Sequence, residues 1–143
     1  MTDCIFPADI TDTKILADVA ELEKKCFGDA WSAASINAEA EAGRLWVAVD
    51  GEELAGYIVF WTIGSECEIA NIAVAPEYRR RGIAGRLLNC AYSGGAKTFY
   101  LEVRESNWAA RALYDTHGFT PYARRRNYYK NPTEDAILLS KEI

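Results

Sequence analysis

Apolar residues recur at helical spacing between Thr13 and Phe27, where Ile15, Leu16, Val19, Leu22 and Cys26 fall on one face. Positions three and four apart are neighbours on a helix surface, so this stretch predicts an amphipathic helix. Ser32 is placed to cap a second, short helix that stops near Gly43. The period then shortens. Leu45–Val49 is a β-prone run, Asp50-Gly51 is a hairpin turn signal, and a strand follows from Leu54 to Ile63. Gly64-Ser65 turns the chain into another strand, Cys67–Val74. A proline and a basic loop lead to Gly82, which opens a helix that ends near Ala91, before Ser93-Gly94-Gly95. Thr98–Val103 reads as a strand, Asn107–His117 as a helix with Gly118 beyond it, and two last strands lie near Phe119–Tyr129 and Ala136–Ser140. Cys4–Phe6 can add a short strand at the start.

The predicted order is α-α-β-β-β-α-β-α-β-β. Successive hairpins followed by a β-α-β-α-β run imply an α/β chain with a mixed sheet and helices on both faces. Strand 67–74, helix 82–91 and strand 98–103 form a crossover, expected to be right-handed. The chain has no repeat, linker or low-complexity segment, and its 143 residues are expected to form a single domain, 1–143.

Composition narrows the classes. Half of the residues are hydrophobic and 26% are charged, which is ordinary for a globular protein. No apolar run approaches the ~20 residues needed to span a bilayer. The start, Met1-Thr2-Asp3-Cys4, lacks the basic and apolar regions of a signal peptide, so a soluble cytoplasmic protein with no membrane contact is expected. A net charge of −5 argues against nucleic-acid binding and favours a basic partner, with Glu39, Glu41, Glu52 and Glu53 as candidate contacts. Cys4, Cys26, Cys67 and Cys90 are scattered, with no Cys-x-x-Cys pair and no Cys/His cluster. Free, buried thiols and no metal are therefore expected. His117, the one histidine, precedes the glycine that ends a helix. A cation suits that terminus, so His117 reads as a neighbour of the cap rather than a catalyst.

The chemistry-bearing stretch is Asn71–Leu88. A strand, a glycine-containing loop and a helix N-terminus make an anion site, because the first helical N–H groups lack partners within the helix and sit at the positive end of its dipole. Small residues at 82, 84 and 85 let phosphates approach the backbone. Neither the Gly-x-Gly-x-x-Gly nor the Gly-x-x-x-x-Gly-Lys-Ser/Thr loop is present. Arg79-x-x-Gly82-x-Ala84 instead resembles the pyrophosphate-binding motif of the GNAT N-acetyltransferases, which hold acetyl-coenzyme A.

A second constellation sharpens the resemblance. Leu101-Glu102-Val103-Arg104-x-Ser106-Asn107, Ala112-Leu113-Tyr114, Gly118-Phe119 and Arg125-Arg126-Asn127-Tyr128-Tyr129, in this order, resemble the RimI branch of that family. That branch acetylates the N-terminal alanine of a small-subunit ribosomal protein. The likeness is specific over Cys67–Ile143 and looser before it, where Cys26-Phe27 and Trp31-Ser32 resemble a Phe-Pro-Trp-Ser segment. This chain departs from the family at Ala84, which replaces a glycine, and at Asp29-Ala30, which displaces the proline. It is also shorter between Leu88 and Thr98, so the helix after the phosphate loop must be short.

The resemblance implies the GNAT fold and an acetyl-CoA-dependent N-terminal acetyltransferase without a metal. Its acceptor would be the N-terminus of a basic protein, a small-subunit ribosomal protein. The resemblance places the coenzyme against the backbone of Ile72, Ala73 and Val74, the loop residues Arg79, Arg80, Arg81, Gly82, Ile83, Ala84 and Gly85, and Asn107. Asn107 is equally fitted to cap the helix that begins at Trp108.

An α-amine must lose a proton to attack a thioester, the resulting oxyanion needs N–H donors, and the departing thiolate benefits from an acid. Glu102 alternates away from Phe99, Leu101 and Val103, and in a sheet covered on both faces burial would raise its pKa to a useful range. The resemblance makes it the general base, with Glu68 as a rival, and makes Tyr114 the general acid. Two alternatives stay open: a GNAT enzyme for another amine, such as a lysine side chain, polyamine or antibiotic, and a non-catalytic acyl-CoA-binding module.

Overall fold

Side-chain caps start three of the four α-helices found in the computed structural model, which describes residues 4–143. Asp12 Oδ1 accepts from the Ile15 N–H at 3.1 Å to start α1 (Thr13–Cys26). Ser32 Oγ accepts from Ser35 N–H at 3.1 Å to start α2 (Ala33–Glu41). Asn107 Oδ1 accepts from Ala110 N–H at 3.1 Å to start α4 (Trp108–Thr116). The remaining helix, α3 (Ile83–Tyr92), begins after Gly82 with no side-chain cap. It has 10 residues, as short as the sequence required.

The strands are β1 (Cys4–Pro7), β2 (Leu45–Asp50), β3 (Glu53–Ile63), β4 (Glu66–Val74), β5 (Thr98–Arg104), β6 (Thr120–Tyr129) and β7 (Glu134–Glu142). They form a 7-stranded sheet in the order β1-β2-β3-β4-β5-β7-β6. The β4–β5 pair is parallel and the other pairs are antiparallel, which is the mixed sheet the crossover demanded. Among the described residues, no helix is long and apolar enough to cross a membrane.

Neighbouring residues of β3 show which helices cover which face. The Tyr57 hydroxyl donates to Glu23 of α1, whereas a Cβ on Gly56 would lie 3.3 Å from Leu87 of α3. Successive strand residues point to opposite faces, so α1 and α3 lie on opposite sides of the sheet. Gly56 is required: the same Cβ would stand 2.7 Å from the Ala73 carbonyl oxygen. Val19, Ile36, Leu45, Val47, Ile58, Leu87, Leu88 and Phe99 are buried between the layers. Each such side chain contributes roughly 1.5–3 kcal/mol of burial.

One irregularity opens the sheet. In the β3–β4 ladder Val59 pairs with Asn71 but Phe60 pairs with Ile69, so Ala70 is an extra residue. A bulge bends its strand and increases the local twist. The parallel β4–β5 ladder covers Glu66–Glu68 against Thr98–Tyr100 and stops short of the bulge. Beyond Glu68 the β5-facing edge of β4 has no ladder partner, and a cleft begins there.

The thiols are free, but only Cys67 is buried; Cys4 is exposed, and Cys26 and Cys90 are intermediate. Edge position explains Cys4, which lies on the outermost strand of the sheet.

Candidate active site

The parted strands β4 and β5 line a cleft of about 1190 Å³. Its wall takes residues 69–74 from β4 and 101–104 from β5. The α3 start and Phe27, Asp29, Trp31, Tyr128 and Tyr129 also line it. Ile72, Ala73, Val74, Arg79, Arg80, Gly82, Ile83, Ala84, Gly85, Glu102, Asn107 and Tyr114 all line it, as does Glu68. Arg81 does not: its guanidinium packs over the Tyr78 ring, 5.0 Å from the centroid.

The α3 end has the features of an anion site. Arg86 N–H makes the first helical bond to the Gly82 carbonyl, which leaves the N–H groups before it without helical acceptors. Among the described residues, no side chain caps this start. Gly82 has φ +76°, and a Cβ there would meet nothing within 4 Å. Arg80, at φ +67°, is a second left-handed residue in the same loop. Such a conformation in a non-glycine residue is uncommon, and it turns successive N–H groups toward one concavity. Arg79 is held by its own neighbours. Its Nε donates to the Val74 carbonyl at 3.2 Å, and its Nη2 lies 3.9 Å from Cys26 Sγ. His117 is the C-cap residue of α4, as its position suggested, and also lines the cleft. Its Cε1 would lie 3.0 Å from a Cβ on Gly85, so the ring rests against the first turn of α3.

Tyr114 is 6% exposed and packs edge-to-face on Phe119 at 6.0 Å. Burial pushes its phenol far above the ordinary value, followed by the influence of Tyr129, so it stays protonated. Among the described residues its hydroxyl has no hydrogen-bond partner, although it lines the cleft. Asn107 caps α4 and also lines the cleft.

Glu102 is less enclosed than expected. Its side chain is 25% exposed, and Arg125 Nε stands 3.5 Å from Oε1. The reason is the reach of the helix layer. On this face α1 and α2 pack on β2, β3 and β4, and side chains of β6 rather than a helix approach β5. Glu68 points into the same region. Burial pushes its carboxyl up, the nearby Glu102 adds to the rise, and Arg125 opposes it. Two carboxylates and one guanidinium thus share the open strand gap.

Sequence reasoning missed two cleft residues. Glu23 is fully buried and accepts hydrogen bonds from the Tyr57 hydroxyl, Asn71 Nδ2 at 2.8 Å and Trp31 N–H at 2.9 Å. Desolvation pushes its carboxyl up against the pull of these three donors. Its one signal was position: Glu23 follows Leu22 on the apolar side of the first helix. The other residue is Arg104, which holds loops from both halves of the chain. Glu39, Glu41, Glu52 and Glu53, by contrast, do not line the cleft. Glu39 pairs with Arg44 at 3.5 Å and Glu53 accepts from the Tyr78 hydroxyl at 2.6 Å. Among the described residues, no group of three or more His, Cys, Asp or Glu could hold a metal ion.

Known proteins resemble this chain in sequence and fold. Residues 16–119 match the Acetyltransferase (GNAT) family. The ribosomal protein bS18-alanine N-acetyltransferase of Haemophilus influenzae is 30% identical over 128 residues, 84% of this chain and 87% of that protein. The crystal structure of the ribosomal-protein-S18-alanine N-acetyltransferase from Escherichia coli superposes with a TM-score of 0.83 and 29% identity, covering 99% of this chain and 94% of that one. A GNAT family acetyltransferase from Elizabethkingia anophelis, solved with acetyl-CoA bound, has a TM-score of 0.76 and 26% identity over 99% of this chain and 98% of its own.

Proposed function

This chain belongs to the Acetyltransferase (GNAT) family, and on that premise we propose that it transfers acetyl from acetyl-CoA to the N-terminal α-amine of a protein. The acceptor begins with a small residue, alanine by analogy with the relatives, and is a basic small-subunit ribosomal protein. We take residues 1–143 as one catalytic domain.

One observation carries the reading. A single cleft joins a helix start to a buried phenol, neither with a side-chain hydrogen-bond partner among the described residues, and to a pair of carboxylates. The residues present fit acetyl-CoA. The α3 N–H groups and the Gly82 surface suit the pyrophosphate, with Arg80, Ile83, Ala84 and Gly85 beside it. The unpaired edge of β4 at Ile72, Ala73 and Val74 suits the amide-bearing arm. Asn107 offers its amide N–H to the same arm while its oxygen caps α4. Acetyl-CoA supplies an acetyl group activated as a thioester.

The chain's own residues supply the proton transfers and the orientation. Glu102 accepts the amine proton, directly or through one water. Backbone N–H groups on the free edge of β4 polarise the carbonyl under attack. Tyr114, kept protonated by burial, donates to the departing sulfur. Glu68 is the second carboxylate within reach of the amine. Its raised pKa supports a share in the proton transfer.

The test is an acetylation assay with acetyl-CoA and peptides beginning with Ala, Ser, Met or Gly, alongside free polyamines. A matched peptide with a blocked N-terminus and an internal lysine completes the panel. Acetyl should appear on the free α-amine of the small-residue peptides. Transfer to the blocked peptide at a matching rate, or to polyamines alone, would defeat the reading.

A further inference from the structure

Arg104 joins two loops that are far apart in sequence: one carries Asp29 of the cleft wall, and the other follows directly on Tyr128 and Tyr129, which also line the cleft. Its side chain is 16% exposed. Nη2 donates to Asp29 Oδ2 at 3.1 Å and to the Lys130 carbonyl at 2.6 Å. Nη1 donates to the Pro132 carbonyl at 2.9 Å and to Glu134 Oε1 at 3.1 Å. The guanidinium also lies over the Tyr129 ring, 4.6 Å from its centroid. Asp29 belongs to the connection between α1 and α2, and Lys130 and Pro132 to the connection between β6 and β7.

The two loops touch directly. Asp29 Oδ2 also accepts from the Lys130 N–H at 2.6 Å. A Cβ on Gly28 would stand 2.8 Å from the Asn131 carbonyl oxygen, so only glycine allows the approach. Glu134 extends the network: its Oε2 accepts from Ser106 N–H at 2.5 Å, just before the α4 cap. Four acceptors in fixed directions suit a planar guanidinium, and a lysine ammonium cannot reproduce that fork.

We propose that Arg104 is a positioning residue for the acceptor amine. It fixes the distance between the 27–31 and 128–134 segments and so sets which first residue of an acceptor the cleft admits. This rests on the acceptor reading given above. Arg104 lies two residues beyond Glu102 on β5, so the clasp and the proposed base share one strand. The cleft-lining members of the clasped segments are Phe27, Asp29, Trp31, Tyr128 and Tyr129. The clasped segments contain no residue of the 79–85 loop or of the free β4 edge, so loosening the clasp should alter acceptor binding more than coenzyme binding.

The experiment compares wild type with Arg104→Lys, Asp29→Asn and the double variant. Peptides beginning with Ala and with Leu are the acceptors, and KM is measured separately for peptide and acetyl-CoA. Arg104→Lys should raise the Ala-peptide KM roughly tenfold or more, because small misplacements of a bound group are costly. The acetyl-CoA KM should stay within about twofold, and the preference for Ala over Leu should shrink. The double variant should be little worse than either single one, since the two residues act together. Asp29→Asn leaves Arg104 its other three acceptors and keeps the test open if Arg104→Lys folds poorly.

An unchanged peptide KM and preference in a folded Arg104→Lys protein would overturn the proposal. So would an equal rise in both KM values, which marks general loosening. A wild type that acetylates no peptide overturns the acceptor reading and this proposal with it. An active wild type beside an unaltered variant overturns this proposal alone.

Discussion

Arg125 reaches from β6 across β7 to set its Nε 3.5 Å from the Glu102 carboxylate on β5. The pair lies beside Glu68, whose carboxyl is pushed up by burial and by the charge of Glu102.

Glu102→Gln keeps the shape of the side chain but cannot take the amine proton. It should lower kcat by roughly 10²–10⁴ and leave acetyl-CoA affinity nearly unchanged. Steady-state kinetics on this variant and on Glu68→Gln check the assignment. Normal turnover in Glu102→Gln with loss in Glu68→Gln would move the base to β4.

Tyr114→Phe removes only a hydroxyl that has no partner within the described protein. Since no intramolecular hydrogen bond is lost, stability should change by less than about 1 kcal/mol. The rate should nevertheless fall by roughly 10²-fold or more if the phenol protonates the leaving thiolate. Thermal melts and turnover measured together separate the two effects. A large loss of stability with normal turnover in the remaining folded protein would make Tyr114 a packing residue.

Acetyl-CoA should stabilise the fold by about 2.7 kcal/mol at 100-fold excess over Kd. Gly82 is left-handed, so Gly82→Val would strain the backbone as well as block the phosphates. Gly82→Asn separates these, because asparagine tolerates that conformation. The asparagine variant should melt near wild type without ligand and lose most of the acetyl-CoA shift. A full shift in both variants would remove the loop from the binding site.

Glu23 gives a pH dependence of known sign. Its folded-state carboxyl is raised from 4.5 by burial. Its contribution is therefore fully present below the unfolded pKa and is lost as pH rises from 4.5 through the folded value. Glu23→Gln should be less stable at low pH, because an amide cannot accept from all three donors. That deficit should narrow as pH rises through the same window. Parallel denaturation curves for the two proteins over pH 4–8 provide the measurement, and a constant gap would contradict it.

How much of this was legible beforehand depends on the range of the interaction. The caps at Asp12, Ser32 and Asn107, the hairpin at Asp50-Gly51 and the helix start at Gly82 act within a few residues. Local pattern therefore located nearly every element to within a residue or two. The glycine turn that opens α3 was legible for the same reason, and so was the alternation of Glu102 on β5. Arg81 was not, since its removal from the cleft depends on stacking against Tyr78. Gly56 was a neglected signal: a glycine inside a strand marks a close backbone approach, and this one faces the segment just beyond the bulge.

By itself, then, the sequence determined the order of elements, the mixed sheet, the glycine turn before α3 and the family resemblance. Periodicity and turn chemistry are short-range properties written residue by residue. The tertiary structure alone decided where the sheet parts, why Glu102 faces Arg125 rather than a helix, and how Glu23 comes to be buried with three donors. It also decided the clasp, in which Asp29 meets Arg104 from 75 residues away and Lys130 from 101. Such contacts follow from long-range packing that brings distant loops together, and no local pattern encodes which carboxylate a guanidinium will meet.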